Sequence, residues 1–136
     1  MNLQIGYDEI SSYISSKYGK NVSIEYVDLH TATVKASLKV LLVNLTIPLT
    51  IHIDEVTTES ITLTYSGKLG IDKVANSVIS FLTNSIEDIK NILHVDNQTI
   101  TIRLCNIKEL KTTLDIIKLD DITFDQTGID VTASLK

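Results

Sequence analysis

Tryptophan is absent from these 136 residues, and cysteine, proline, methionine and arginine occur once each. A single thiol, Cys105, excludes an intramolecular disulfide framework and any cysteine-based zinc site. A single guanidinium, Arg103, in a chain of net charge −5 argues against a general nucleic-acid binder, which needs clustered Lys and Arg for phosphate. Pro48 cannot donate to a ladder, so the strand that carries it belongs at a sheet edge or a bulge. Long apolar runs are also missing. The longest strictly apolar stretch, Val40 to Val43, is far short of the roughly 20 residues that span a bilayer, so no transmembrane segment is expected. The opening residues Met1-Asn-Leu-Gln-Ile-Gly-Tyr-Asp-Glu contain no basic region followed by an apolar one, so they do not read as a signal peptide. If the natural chain begins here, the expectation is a soluble, cytoplasmic protein; a removed leader would leave the compartment open.

What the chain has in quantity is aliphatic and β-branched: 20 Ile, 16 Leu, 10 Val and 16 Thr, against 2 Phe and 5 Tyr. Such a composition can bury a large core, which excludes intrinsic disorder. The length suits one domain, residues 1–136, because two cores would each be marginal.

Residues 7–18 predict a short amphipathic helix. Tyr7, Ile10, Ile14 and Tyr18 fall at helical spacing, Asp8 and Glu9 occupy the first turn, and Gly19 and Asn21 stop it. The period then becomes two. Val22, Ile24 and Tyr26, and after a slip at 27–29 Ala32, Val34, Ala36, Leu38 and Val40, line one face of a long strand, the slip suiting a bulge or bend. Parity flips at Leu41, so a reversal is expected near 41–44. Leu45, Ile47, Leu49, Ile51 and Ile53 then form the apolar set, and Ile61, Leu63 and Tyr65 continue the meander.

Ile71, Ala75, Val78, Leu82, Ile86, Ile89 and Leu93 step by three or four, which predicts a helix over 70–93, roughly 35 Å long at ~1.5 Å per residue. Ile100, Ile102 and Leu104 alternate again. Residues 107–117 are ambiguous: Asn106 and Glu109 have capping-box spacing, while Thr112, Thr113 and the Ile pair favour strand. Ile122 and Phe124 lead into Asp125-Gln-Thr-Gly128, a hairpin turn with glycine available for positive φ, and Ile129, Val131, Ala133 and Leu135 end the chain on strict alternation.

No G-x-S-x-G, P-loop, H-E-x-x-H or G-x-G-x-x-G occurs, and no cofactor is implied. Cys105 could pair with His30, His52 or His94 as a nucleophile, although a half-buried thiol at a strand end needs no such role. His52-x-Asp54 places two polar groups on one strand face and His94-x-Asp96 repeats the spacing. Adjacent, the two pairs could bind a metal, and an enzyme using His52 and Asp54 is the last-ranked reading; otherwise they belong to a solvated, threonine-rich face. Asp120-Asp121 reads as a turn. The helix–strands–helix order resembles a double-stranded-RNA-binding domain, but Gly70-Ile71-Asp72-Lys73 puts an aspartate where that family needs tandem lysines.

These elements predict an α+β fold: a long curved antiparallel sheet packed around the long amphipathic helix at about 70–93, with the short helix at about 7–18. The Ile71–Leu93 helix following a long meander, with the closing segments Leu119-Asp-Asp-Ile-Thr-Phe124 and Gly128-Ile-Asp-Val-Thr-Ala-Ser-Leu135, resembles the tubular lipid-binding superfamily, in particular its small bacterial single-module proteins. The resemblance implies that architecture and a lipid-like ligand, and supplies no family-defined binding residue. The function expected is non-catalytic binding of an apolar ligand between helix and sheet, lined by Ile47, Leu49 and Ile51 from the strand and Val74, Val78 and Leu82 from the helix. The alternative is an interaction or scaffold module with a filled core, pairing with a protein partner or a second copy through a strand edge.

Overall fold

The computed structural model describes residues 1–40, 42–67 and 89–136. Strand accounts for 61% of these. In chain order the elements are β1 (Asn2–Gly6), α1 (Tyr7–Tyr18), β2 (Asn21–Asp28), β3 (Thr31–Val40), β4 (Val43–Val56), β5 (Ser60–Ser66), the single turn α2 (Ile89–Ile92), β6 (Leu93–Asp96), β7 (Thr99–Arg103), two 3-10 turns (Leu104–Asn106 and Lys108–Leu110), α3 (Lys111–Ile116), β8 (Ile117–Phe124) and β9 (Gly128–Leu135). The strands form two antiparallel sheets, one in the order β1-β9-β8 and the other β2-β3-β4-β5-β7-β6.

This architecture corrects the expectation of one sheet wrapped around a long helix. Among the described residues only α1 exceeds six residues in helical conformation. Most of the 70–93 segment lies outside the described residues, and with it Val74, Val78 and Leu82. Its described end is not helical throughout: Leu93 opens β6. The competing signal is short but decisive. Leu93 and Val95 alternate with His94 and Asp96, and Asn97 takes a positive φ of 58° in the turn to β7, a conformation asparagine tolerates.

The expected helix 7–18 is present residue for residue. Glu9 Oε1 accepts the Gly6 amide at 3.1 Å, and Gly19 closes the helix at φ 65° with its amide on Ser15 O. The single long strand expected over 22–40 is instead the β2–β3 hairpin. Its slip is a register shift between Tyr26 and Asp28, followed by a turn at Leu29–His30 in which Asp28 Oδ1 accepts the His30 amide at 3.0 Å. The reversal near 41–44 is found, with Val40 opposite Val43. The ambiguous stretch resolves as 3-10 turns followed by α3, with no side-chain cap at either start.

The core lies where the two sheets meet. Tyr7, Ile122 and Phe124 pack against Ala32 and Ile53 of the six-stranded sheet, with Ile24, Val56, Ile61, Ile129 and Val131 around them. The β2–β3 turn is the backbone joint between the sheets: Phe124 N donates to Leu29 O at 2.8 Å and Ile53 N to His30 O at 2.9 Å.

Candidate functional site

Register, more than any single residue, builds the most distinctive surface. Strict alternation along β2 to β7 places every second side chain on one face of the sheet. Pairing then aligns them in rows: Ile24 with Val34 and Leu49; Ala32 with Ile51 and Tyr65; Ile53 with Leu63, Ile100 and Val95. With Tyr26 opposite Ala32, the rows contain only apolar side chains and two tyrosines. From Ile47 to Ile53 along β4 the face runs about 20 Å at ~3.4 Å per residue.

Burial across this face is uneven. Ala32 and Ile53 are buried beneath Tyr7, Ile122 and Phe124, whereas Val34, Leu49, Ile51, Leu63 and Ile100 are half-buried. Of the expected lining residues, Ile47, Leu49 and Ile51 follow one another on this face; Ile47 is buried and the other two half-buried. Leu63 and Ile100 belong to the same surface. Their period-two alternation was visible in the sequence, but the pairing of β5 with β7 that joins them to β4 was not.

The opposite face carries the polar chemistry. Thr31 Oγ1 lies 2.9 Å from His52 Nδ1, His52 Nε2 lies 3.7 Å from Asp54 Oδ1, and Thr64 donates its hydroxyl to Asp54. Asp28, at the near end of this chain, is held below the usual carboxylate pKa by the Thr31 hydroxyl and the His30 amide. His52 and Asp54 therefore do share a face, as their spacing requires. Both are open to water on a sheet surface, at 53% and 39% side-chain exposure. Acid–base catalysis draws much of its effect from a desolvated, preorganised site.

The second pair, His94 and Asp96, is on β6. Asp96 shares the row of His52, but Thr64 and Thr99 stand between them, so three inter-strand steps of ~4.8 Å separate the pairs. Among the described residues no group of three or more His, Cys, Asp or Glu converges as metal ligands. Cys105 is half-buried in the Leu104–Asn106 turn, with Sγ 3.8 Å from Asn106 Oδ1.

A second apolar feature escaped the sequence reading. β1 pairs with β9 at the far end of the chain, and the apolar face of this three-stranded sheet runs beyond the shared core. Leu3 is 60% and Leu135 is 70% exposed there, with Met1 beside Ala133. The Leu3 and Ile5 alternation could have signalled the strand; its partner, more than a hundred residues away, could not be read.

No helix among the described residues is long and apolar enough to cross a membrane. Comparison with known proteins finds no family model, curated protein or solved structure that matches this chain.

Proposed function

We propose that this protein binds a lipid-like or similarly apolar ligand, without catalysis, along the apolar face of the six-stranded sheet. The observation that carries the reading is the mismatch between the extent of that face and its burial. The core cluster takes up Ala32 and Ile53, and Ile47 and Tyr65 are buried apart from it, while Leu49, Ile51, Leu63 and Ile100 remain half-buried in the same apolar rows. Covering such a surface with an apolar chain yields about 25 cal/mol per Å² without directional contacts. Ile47, Leu49 and Ile51 are its described lining, and they act by excluding water.

Native mass spectrometry of the freshly purified protein, followed by denaturing extraction and lipid analysis, tests it. The expected result is a stoichiometric apolar adduct released on unfolding. Leu49→Asp should abolish uptake from a lipid extract, while Thr50→Asp, one residue away on the opposite face, should leave it intact. Leu49→Ala serves if the aspartate variant does not fold. An apo mass that stays apo in the presence of lipid overturns the proposal.

The second reading, an interaction module, is favoured by the exposed Met1, Leu3 and Leu135 at the end of the three-stranded sheet. It predicts concentration-dependent association with no small-molecule adduct. The same spectra report both.

A further inference from the structure

We propose that two copies of this chain pair through the free edge of β1, antiparallel and in the register that sets Leu3 opposite Leu3. This pairing gives the interaction-module reading its partner and rests on that reading, not on the lipid one. The molecule's own sheet edges point to it. An exposed strand edge offers unpaired N–H and C=O groups to any other strand, and folded chains blunt it with charge, proline, bulges or cover. β2 carries Glu25 and a register shift between Tyr26 and Asp28, and α1 packs against it. At the other end of that sheet β6 has only four residues, two of them His94 and Asp96. The one-sided half of β4 holds Pro48. In the smaller sheet β8 has Lys118, Asp120 and Asp121 around a register shift. β1 has none of these devices: Asn2 to Gly6 pair with β9 without a break, and no residue among them is charged or a proline. Among the described residues it is the one edge left open.

The ladder fixes which groups of β1 face outward. Met1 O accepts the Ala133 amide at 2.9 Å, and the Tyr7 amide donates to Thr127 O at 3.1 Å. Antiparallel bonding alternates by residue, so Met1, Leu3, Ile5 and Tyr7 turn their backbone groups to β9, and Asn2, Gln4 and Gly6 turn theirs away. Gly6 is already engaged, its amide held by Glu9 Oε1 at 3.1 Å, and α1 begins at the next residue. The usable residues are therefore Asn2 and Gln4, which flank Leu3. A twofold axis at Leu3 lets Asn2 of each copy exchange backbone bonds with Gln4 of the other, and joins two three-stranded sheets into one continuous sheet. The same axis keeps side-chain parity. Leu3 meets Leu3 at a non-hydrogen-bonded position, where side chains stand closest, and Met1 meets Ile5. Met1 and Leu3, 62% and 60% exposed in the single chain, thus gain apolar neighbours. On the polar face Asn2 meets Gln4, so no like charges are set opposite each other although each copy carries a net charge of −5. A second copy is the occupant because the strand is its own complement about Leu3, apolar against apolar and carboxamide against carboxamide.

A strand of five residues on each side is small beside a standard interface, so a micromolar or weaker dimer is expected. Sedimentation velocity from micromolar to millimolar concentration should show monomer giving way to dimer. Leu3→Lys, at an exposed position where the fold loses little, sets Lys opposite Lys and should weaken the dimer about tenfold or more. Oxidation in a Cys105→Ser background reads the register. Leu3→Cys should form an intermolecular disulfide, because a non-hydrogen-bonded pair brings its Cα atoms to about 4.5 Å. Leu135→Cys, 70% exposed on the same apolar face but away from the axis, should not. Association undiminished in Leu3→Lys, or crosslinking at Leu135→Cys as fast as at Leu3→Cys, overturns the β1 pairing and leaves an interaction module of another geometry. A monomer at every concentration overturns both. Lipid uptake at the Leu49 face is read separately and can fail or succeed without this pairing.

Discussion

At the residue scale the Asp125–Gly128 turn shows how one carboxylate organises a hairpin. Asp125 Oδ1 accepts the Thr127 and Gly128 amides, each at 2.8 Å, and the Thr127 hydroxyl at 3.0 Å, while Oδ2 accepts Gln4 Nε2 at 2.7 Å. The Thr127 amide first, then a hydrogen bond with Asp130, the Gly128 amide and the Thr127 hydroxyl, lower its pKa to about 2. A depressed carboxylate stabilises the fold above its unfolded pKa near ~4, and that contribution disappears as pH falls through about 2. Neighbouring Asp130 is raised, first through its hydrogen bond with Asp125, and so acts in the opposite sense, favouring the fold when protonated. Melting temperature measured from neutral to acid pH should therefore fall most steeply between about 4 and 2. Asp125→Asn should flatten that limb, and an unchanged acid limb in the variant would discard the assignment. Gly128 serves the turn differently from the expectation. It does not adopt a positive φ; a Cβ there would collide with the Ile5 carbonyl and sit 3.0 Å from Gly6 Cα. Gly128→Ala should cost about 1–3 kcal/mol in urea unfolding by forcing β1 away from β9.

Among the elements, β4 explains both what the sequence discloses and what it withholds. Pro48 suggested an edge or a bulge, and in the described residues β4 is local edge at that point. It pairs with β3 from Val43 to His52, but with β5 only from Thr50 to Val56. The first half of the strand has one neighbour and the second half two, so proline's missing donor costs nothing where it stands. In hydrogen exchange, consecutive amides of Ile51, His52 and Ile53 should be protected together. Across Val43–Leu49 protection should alternate residue by residue; uniform protection there would contradict the one-sided pairing. The period-two segments and α1 were legible because each is set by local side-chain alternation. The β2–β3 turn was not, because Leu29-His30 has neither glycine nor proline and is held by Asp28 and by contacts to distant strands. Leu93 misled for a related reason: one residue can satisfy a helical stripe and open a strand, and pairing with Ile102 decides between them.

For the whole molecule the deciding contact is between the sheets, and it joins the two ends of the sequence to its middle. Tyr7 and Phe124, from the first and last thirds of the chain, close on Ala32 and Ile53, and Tyr7 also donates its hydroxyl to Asp125 O at 2.5 Å. The expected apolar set on β4 is thus shared between two tasks. Ile53 belongs to this core, while Leu49 and Ile51 extend beyond it toward the proposed ligand. Removing a buried ring at the junction separates these tasks. Phe124→Ala should lower stability by about 3–5 kcal/mol, the usual cost of emptying an aromatic core position. Because one cluster holds both sheets, denaturation should remain a single transition, with the β9 and β4 amides losing protection at the same denaturant concentration. Two separate transitions would show that the sheets fold independently. If lipid binds along Leu49 and Ile51, its addition should raise the midpoint of the Phe124→Ala variant as well as that of the natural sequence, since binding to the folded form alone shifts the equilibrium by mass action. A lipid that stabilises the natural sequence but not the variant would place its contacts at the Phe124 junction and away from Leu49.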